Sequence, residues 1–270
     1  DGPGLFARDI QAKAGGRADP DLVATVTRAA ADALHWLADS HEVPLGLVQG
    51  FRYPGHTALR MHGTPRRTGA ELMDHLGRAA AARAVDVVTA ATVTALFADP
   101  DGRVRGVAVD RPDGSTERIG CRALVLACNG YGGNPGLVAR HIPEMAGALY
   151  FGHPGNRGDA LLWGEALGAA ARDLGAYQGH GSVAHPHGIL ITWAAIMEGG
   201  IQVNAAGRRF SDETQGYSEQ AVSVLAQPGG IAWVVYDSRI DAVCRQFEDY
   251  RNALTQGAVR SAADAAQLET

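Results

Sequence analysis

The sequence predicts an α/β chain with an α+β C-terminal part, on three observations. The first is Ala123-Leu-Val-Leu-Ala-Cys-Asn-Gly-Tyr-Gly-Gly-Asn-Pro135, five apolar residues followed by small residues and three glycines. That is the pattern of a buried parallel strand whose C-terminal end lets a ligand approach the backbone, and it places a nucleotide cofactor there. The second is a meander signal just upstream: Thr92 to Ala98 and Val104 to Val109 flank the turn Asp99-Pro-Asp-Gly102, and Arg111-Pro-Asp-Gly-Ser115 turns the chain again before Glu117 to Ile119. The third is the shift to short strands and loops beyond residue 179.

Each element follows in order. Asp19 as N-cap and Pro20 at the first helical position open a helix to about Ser40, with Leu22, Val23, Val26, Ala30, Leu34 and Leu37 at helical spacing. Residues 43–68 read as loop. Thr68-x-x-Glu71 is a capping box and starts a helix through Leu72, Leu76 and Ala80. Val85 to Val88 reads as a short strand, and 123–127 as the central one. A helix runs from Gly158 to about Leu167, ended by Gly168. Ile189 to Thr192, Ile201 to Asn204 and Ala232 to Tyr236 read as strands, a helix starts at Asp237, and 262–269 is helix-like. Gly2-Pro-Gly4 to Ala7 and Gly179-His-Gly181 to Ala184 fit the spacing of a phosphate-binding turn, but no strand feeds the first and Pro186 follows the second, so both read as loops.

Val125-Leu-Ala-Cys-Asn-Gly-Tyr-Gly-Gly-Asn-Pro135 resembles the ATGG[FY]xxNP turn of the FAD-dependent fumarate reductase and succinate dehydrogenase flavoprotein superfamily, which includes the ketosteroid dehydrogenases. Gly155-Asn-Arg-Gly-Asp-Ala160 resembles its GNTGDG, Gln178-Gly-His180 its QxHP, and Gly200 to Glu213 its GxxVNxxGxRFxxE, all in the family's order. The resemblance implies a partial two-dinucleotide-binding FAD domain with its β-meander at 1–178, and part of a capping domain at 179–270. The implied cofactor is FAD, and the implied reaction is hydride transfer between a substrate C–C bond and the flavin N5. The family's opening strand and G-x-G-x-x-G turn are not found, nor is its C-terminal glycine-rich segment. The chain is therefore expected to be an internal piece of a longer flavoprotein.

Cofactor contacts are expected at Ala127, Cys128, Asn129 and Gly130 in the turn. Asp159 either favours a helix dipole or, as the resemblance implies, hydrogen-bonds FAD. Val93 is either a plain core valine or, by the resemblance, a backbone contact to the adenine. Cys128 also fits as a small core residue.

By the resemblance, His180 is a substrate-binding histidine, although Gly181 stands where the family has proline. Thr192 matches a substrate-binding threonine, Trp193 replaces the glutamate that follows it, and Tyr217 replaces a proton-donating arginine. Arginine is permanently cationic and grips carboxylates bidentately, which tyrosine and tryptophan do not. The substrate is thus expected to be bulkier and less charged than fumarate or succinate, with Tyr217 and His180 as the proton relay. Arg208, Arg209 and Glu213 read as turn and salt-bridge contacts. Arg60, His62, Arg66 and Arg67 read as a solvated basic loop.

His180, His185 and His187 offer the alternative of a metal-dependent hydrolase, but Pro186 interrupts the H-x-H strand pattern and no carboxylate lies nearby. A fragment unable to hold FAD is the other alternative. The 270 residues carry a net charge of −5 and no long basic run, which argues against nucleic acid. No stretch of about 18 apolar residues occurs, so no membrane span is expected. Three cysteines without C-x-x-C spacing argue against a disulfide framework and against zinc or iron–sulfur sites. The expected partners are a small-molecule substrate and an external electron donor or acceptor, and the expected location is cytoplasmic. Protein made from these 270 residues is expected to be colourless after purification, because FAD lacks its helix N-terminus anchor; a yellow protein with a retained flavin absorbance band overturns that.

Overall fold

The computed structural model describes residues 1–49, 52–264 and 266–267. The first 85 residues hold α1 (Pro3–Lys13), α2 (Pro20–His35) with a π-helical turn at Trp36–Ser40, the paired short strands β1 (Gly46–Leu47) and β2 (His62–Gly63), and α3 (Gly69–Ala81). The antiparallel meander β3 (Thr92–Ala98), β4 (Val104–Asp110) and β5 (Thr116–Gly120) follows in that spatial order, then α4 (Pro135–His141) and α5 (Asp159–Ala166). The remainder holds β6 (Val183–Ala184), β7 (Ile189–Leu190), α6 (Ala194–Met197), β8 (Ile201–Val203), α7 (Tyr217–Leu225), β9 (Trp233–Val235), α8 (Ser238–Cys244) and α9 (Glu248–Thr255). Residues 1–85 and 179–270 pack into one compact unit and residues 86–178 into another. The helix-like run 262–269 reaches beyond the described residues.

Caps fix the helix starts. The Asp19 carboxylate accepts from Asp21 N at 2.9 Å and Leu22 N at 3.1 Å. Thr68 Oγ1 accepts from Glu71 N at 3.3 Å, but Glu71 does not reach back as a capping box requires; its carboxylate accepts from Arg66 N at 2.8 Å. Asn134 and Asp237 cap α4 and α8 at 3.2 and 2.9 Å.

Three expectations fail, each for a physical reason. Pro3 to Ala7 is helical rather than loop, because Gly2 is an extended N-cap and Pro3 sets φ for the first turn. Arg60 is not solvated: its side chain is 8% exposed and pairs with Asp9 at 2.6 Å and with Asp1. Asp9 is held down to about 2, chiefly by the Thr57 backbone N–H and also by Arg60, so α1 is pinned to the 43–68 loop. The runs 85–88 and 123–127 form no strand. A parallel strand exists only when paired, and no described segment pairs with either run. Val125 is accordingly 84% exposed, and Cys128 is exposed rather than core.

The core of the larger unit is Ile191, Ala195, Ile240, Cys244, Tyr250 and Ala253. It holds β7 and α6 against α8 and α9. Beside it runs a buried polar chain. Glu213, 1% exposed, accepts from Gln202 N at 2.7 Å and from Arg209 Nη2 at 2.6 Å. The Gln202 side chain donates to the Gly181 carbonyl and accepts from Gln220 Nε2, both at 2.7 Å, and Gln220 accepts from Ser211 Oγ at 2.8 Å. Replacing the centre of this chain, Gln202→Leu, strands the Gly181 carbonyl and the Gln220 amide in the interior. It is expected to cost about 2–4 kcal/mol, read by denaturant unfolding.

Candidate active site

In the unit of residues 86–178, the turn after the unpaired run presents Ala127, Cys128, Asn129 and Gly130 as exposed residues. Asn129 takes the left-handed conformation at φ 64°, and its Oδ1 accepts from Gly130 N at 2.8 Å. The turn is tied to the loop before α5: Gly158 N donates to Gly130 O at 3.2 Å, Gly133 N to Asn156 O at 2.8 Å, and Asn134 Nδ2 to Arg157 O at 3.0 Å.

The glycines divide in purpose. A Cβ at Gly133 meets Pro154 O at 2.9 Å, and one at Gly158, where φ is 89°, meets Leu137 Cδ1 at 2.6 Å. These two serve the approach of turn to loop rather than of a ligand. Gly130 has nothing within 4 Å of such a Cβ and stays open. Asp159 begins α5 half-buried, and its carboxylate has no hydrogen-bond or ion-pair partner among the described residues. Val93 is not a core valine; it is 37% exposed at a bulge where it pairs with Val109. An open backbone turn joined to a helix start that bears an unpaired carboxylate fits a nucleotide's ribose and ring atoms.

In the other unit, three of the expected residues meet. His180 and Tyr217 stack with centroids 5.6 Å apart and planes 14° apart. Trp193 stands edge-on to both, at 5.5 Å from His180 and 6.2 Å from Tyr217, with interplanar angles of 83°. Gly181 N donates to Tyr217 O at 3.1 Å, which locks the two segments. Ser182 N donates to His180 Nδ1 at 3.2 Å, so the neutral ring carries its proton on Nε2. Burial pushes this imidazole down to about 4.

Trp193 is 5% exposed and its Nε1–H finds no acceptor among the described residues. Thr192 is half-buried, and its hydroxyl oxygen accepts from Ala194 N at 3.3 Å at the start of α6. Tyr53 was not anticipated: burial and the neighbouring Tyr217 raise its phenol. Its signal in the sequence was only an aromatic in a proline-rich loop. Arg209 and Glu213 make the expected ion pair. Among the described residues no group of three His, Cys, Asp or Glu side chains is placed to hold a metal, so His180, His185 and His187 do not form a ligand set.

A model of the FAD binding domain matches residues 1–267. The chain belongs to that FAD binding domain family. Its cofactor is FAD. The chain is 28% identical to the "Probable fumarate reductase Ifc3" of Shewanella frigidimarina over 87% of its length and 40% of that protein's. It superposes on the open conformation of a flavocytochrome c3 fumarate reductase with a TM-score of 0.78 at 26% identity, over 93% of this chain and 45% of that one. The fold is shared with the 3-ketosteroid-delta4-(5alpha)-dehydrogenase of Rhodococcus jostii RHA1, with a TM-score of 0.69 at 21% identity over 90% of this chain and 55% of that one. The FAD binding domain chain thus spans less than half the length of the fumarate reductases it matches. No helix among its described residues is long and apolar enough to cross a membrane.

The half-buried imidazole of His180 makes stability depend on pH. An unfolded histidine titrates near 6.5 and His180 at about 4. As pH falls below about 6.5 the unfolded chain takes up the proton first. Stability present at neutral pH is therefore lost toward pH 4, by about 3 kcal/mol in all. His180→Gln is expected to flatten this slope, read as denaturant midpoints at about pH 7 and about pH 4.5.

Proposed function

We propose that the protein is an FAD-dependent oxidoreductase of the fumarate reductase type, forming or reducing a carbon–carbon double bond in a small molecule other than fumarate or succinate. The observation that carries this is the convergence of His180, Trp193 and Tyr217 into one aromatic corner. In the family these positions hold a histidine, a glutamate and a proton-donating arginine. Here two of the three have become apolar-bodied rings, and the imidazole is neutral at physiological pH.

The open turn at Ala127 to Gly130, the Val93 backbone and the Asp159 carboxylate would hold FAD. When bound, FAD supplies hydride exchange at N5. Within its own unit, Tyr217 would donate or accept the substrate proton, with His180 stacked on its ring, and Thr192 and Trp193 would line the substrate. The unit of residues 86–178 would carry the cofactor turn, and that of 1–85 with 179–270 the substrate residues. An external electron carrier and a cytoplasmic location complete the proposal; the three unpaired cysteines agree with a reducing compartment.

The test uses the protein with FAD supplied in excess throughout, since the 270 residues alone are expected to lose it on purification. Its reduced flavin should be reoxidised by an α,β-unsaturated ketone and not by fumarate, followed as recovery of flavin absorbance. Tyr217→Phe should lower kcat about 10²- to 10⁴-fold with little change in KM. Rapid reoxidation by fumarate, or an unaltered kcat in the phenylalanine variant, rejects this assignment.

A further inference from the structure

Buried hydrogen-bond donors are rarely left without an acceptor, and an indole N–H that has none marks where an acceptor from outside the chain belongs. Trp193 is 95% removed from solvent with Nε1 unpaired among the described residues. Next to it, the Ser182 amide occupies His180 Nδ1 and leaves the ring's proton on Nε2, where no described residue accepts it. Two N–H donors thus sit on rings whose centroids are 5.5 Å apart and whose planes are nearly perpendicular. The stacked His180 and Tyr217 ring centroids are 5.6 Å apart, short of the about 7 Å that a third ring between them needs, so a ligand meets their edges instead of sliding between them.

Two cations that reach the surroundings of this corner, Lys13 and Arg67, both have other contacts. Lys13 Nζ, beside the start of α7, bonds Glu219 at 2.6 Å and the Gln215 carbonyl at 3.0 Å. The exposed Arg67, which acts on Tyr53, lies over the Phe247 ring at 5.8 Å. A carboxylate here would face neutral donors and lose its water, which a single carbonyl oxygen on an apolar body does at far lower cost.

We infer that Trp193 Nε1–H and His180 Nε2–H form a donor pair for one neutral acceptor oxygen, and that the substrate class is an uncharged, largely apolar carbonyl compound. This rests on the assignment of the aromatic corner as the substrate side. Trp193 is then a specificity-determining residue: it holds the carbonyl and selects against dicarboxylates.

The experiment measures binding to the 270-residue chain without turnover, using 1-tetralone, its hydrocarbon counterpart tetralin, and fumarate as probes. Tetralone is expected to bind about tenfold more tightly than tetralin, the value of one net hydrogen bond. It should shift one of the four tryptophan indole N–H resonances of ¹⁵N-labelled protein, the one absent from Trp193→Phe. In that variant the preference for tetralone over tetralin should shrink, because only His180 Nε2–H is left to donate. Fumarate should neither bind nor displace tetralone. Equal affinities for tetralone and tetralin in the unaltered chain overturn the donor pair, as does failure of both to bind. That comparison needs no variant, so it decides the matter even if Trp193→Phe does not fold. Fumarate competing with tetralone overturns the substrate class. Tetralone bound at Trp193 in a protein whose flavin no enone reoxidises keeps the donor pair and rejects only the oxidoreductase assignment.

Discussion

The candidate site depends on the amide-to-amide hydrogen bonds among Gln202, Gln220 and Gly181. Gln202 uses its side-chain donor on the Gly181 carbonyl and its acceptor on Gln220, while Glu213 holds its backbone N–H. Three segments distant in sequence are joined through one buried glutamine. Gly181 follows His180, and α7, which bears Gln220, begins at Tyr217. A buried polar chain of this kind is costly unless every member is satisfied, and its directional geometry specifies one arrangement where an apolar contact would allow several. The stack of His180 on Tyr217 follows from it.

The proposed substrate side is governed by charge as much as by shape. An arginine at position 217 and a glutamate at 193 would have to be paired or hydrated. Tyrosine and tryptophan bury their rings without that requirement and present one polar atom each. Their apolar bodies remove water from His180, and that removal keeps the imidazole neutral. Desolvation, donor orientation and the loss of formal charge reinforce one another. The corner suits a neutral acceptor because a charge placed there loses its water without gaining a partner charge.

On the proposed cofactor side, exposed backbone is the resource. The run at 123–127 carries apolar side chains that nothing described covers, and Val125 is largely in solvent. Lacking partners in a ladder, it keeps the sequence of a central strand without the hydrogen bonds of one. The turn beyond it is nonetheless ordered, because Gly130, Gly133 and Asn134 bond the loop that leads into α5. Order at the turn is local, whereas strand pairing is not.

Much of this was legible in the residues. The meander, the helix starts at Asp19 and Asp237, and the family signatures all rest on short-range chemistry: turn residues, side-chain oxygens within reach of nearby amides, and fixed motif spacing. The α1 helix was missed because two glycines around Pro3 mask a sound helix start. Tyr53 near Tyr217 and the burial of Arg60 between two aspartates join parts of the chain whose proximity no local pattern encodes. The sequence by itself determined the family and the cofactor, since those are matters of residue identity and order. Only the tertiary structure decided that His180, Trp193 and Tyr217 form one corner, which nitrogen of His180 carries the proton, and that the Trp193 N–H is unpaired. Those properties arise from desolvation and from hydrogen bonds between distant segments, and they exist only once the chain has folded.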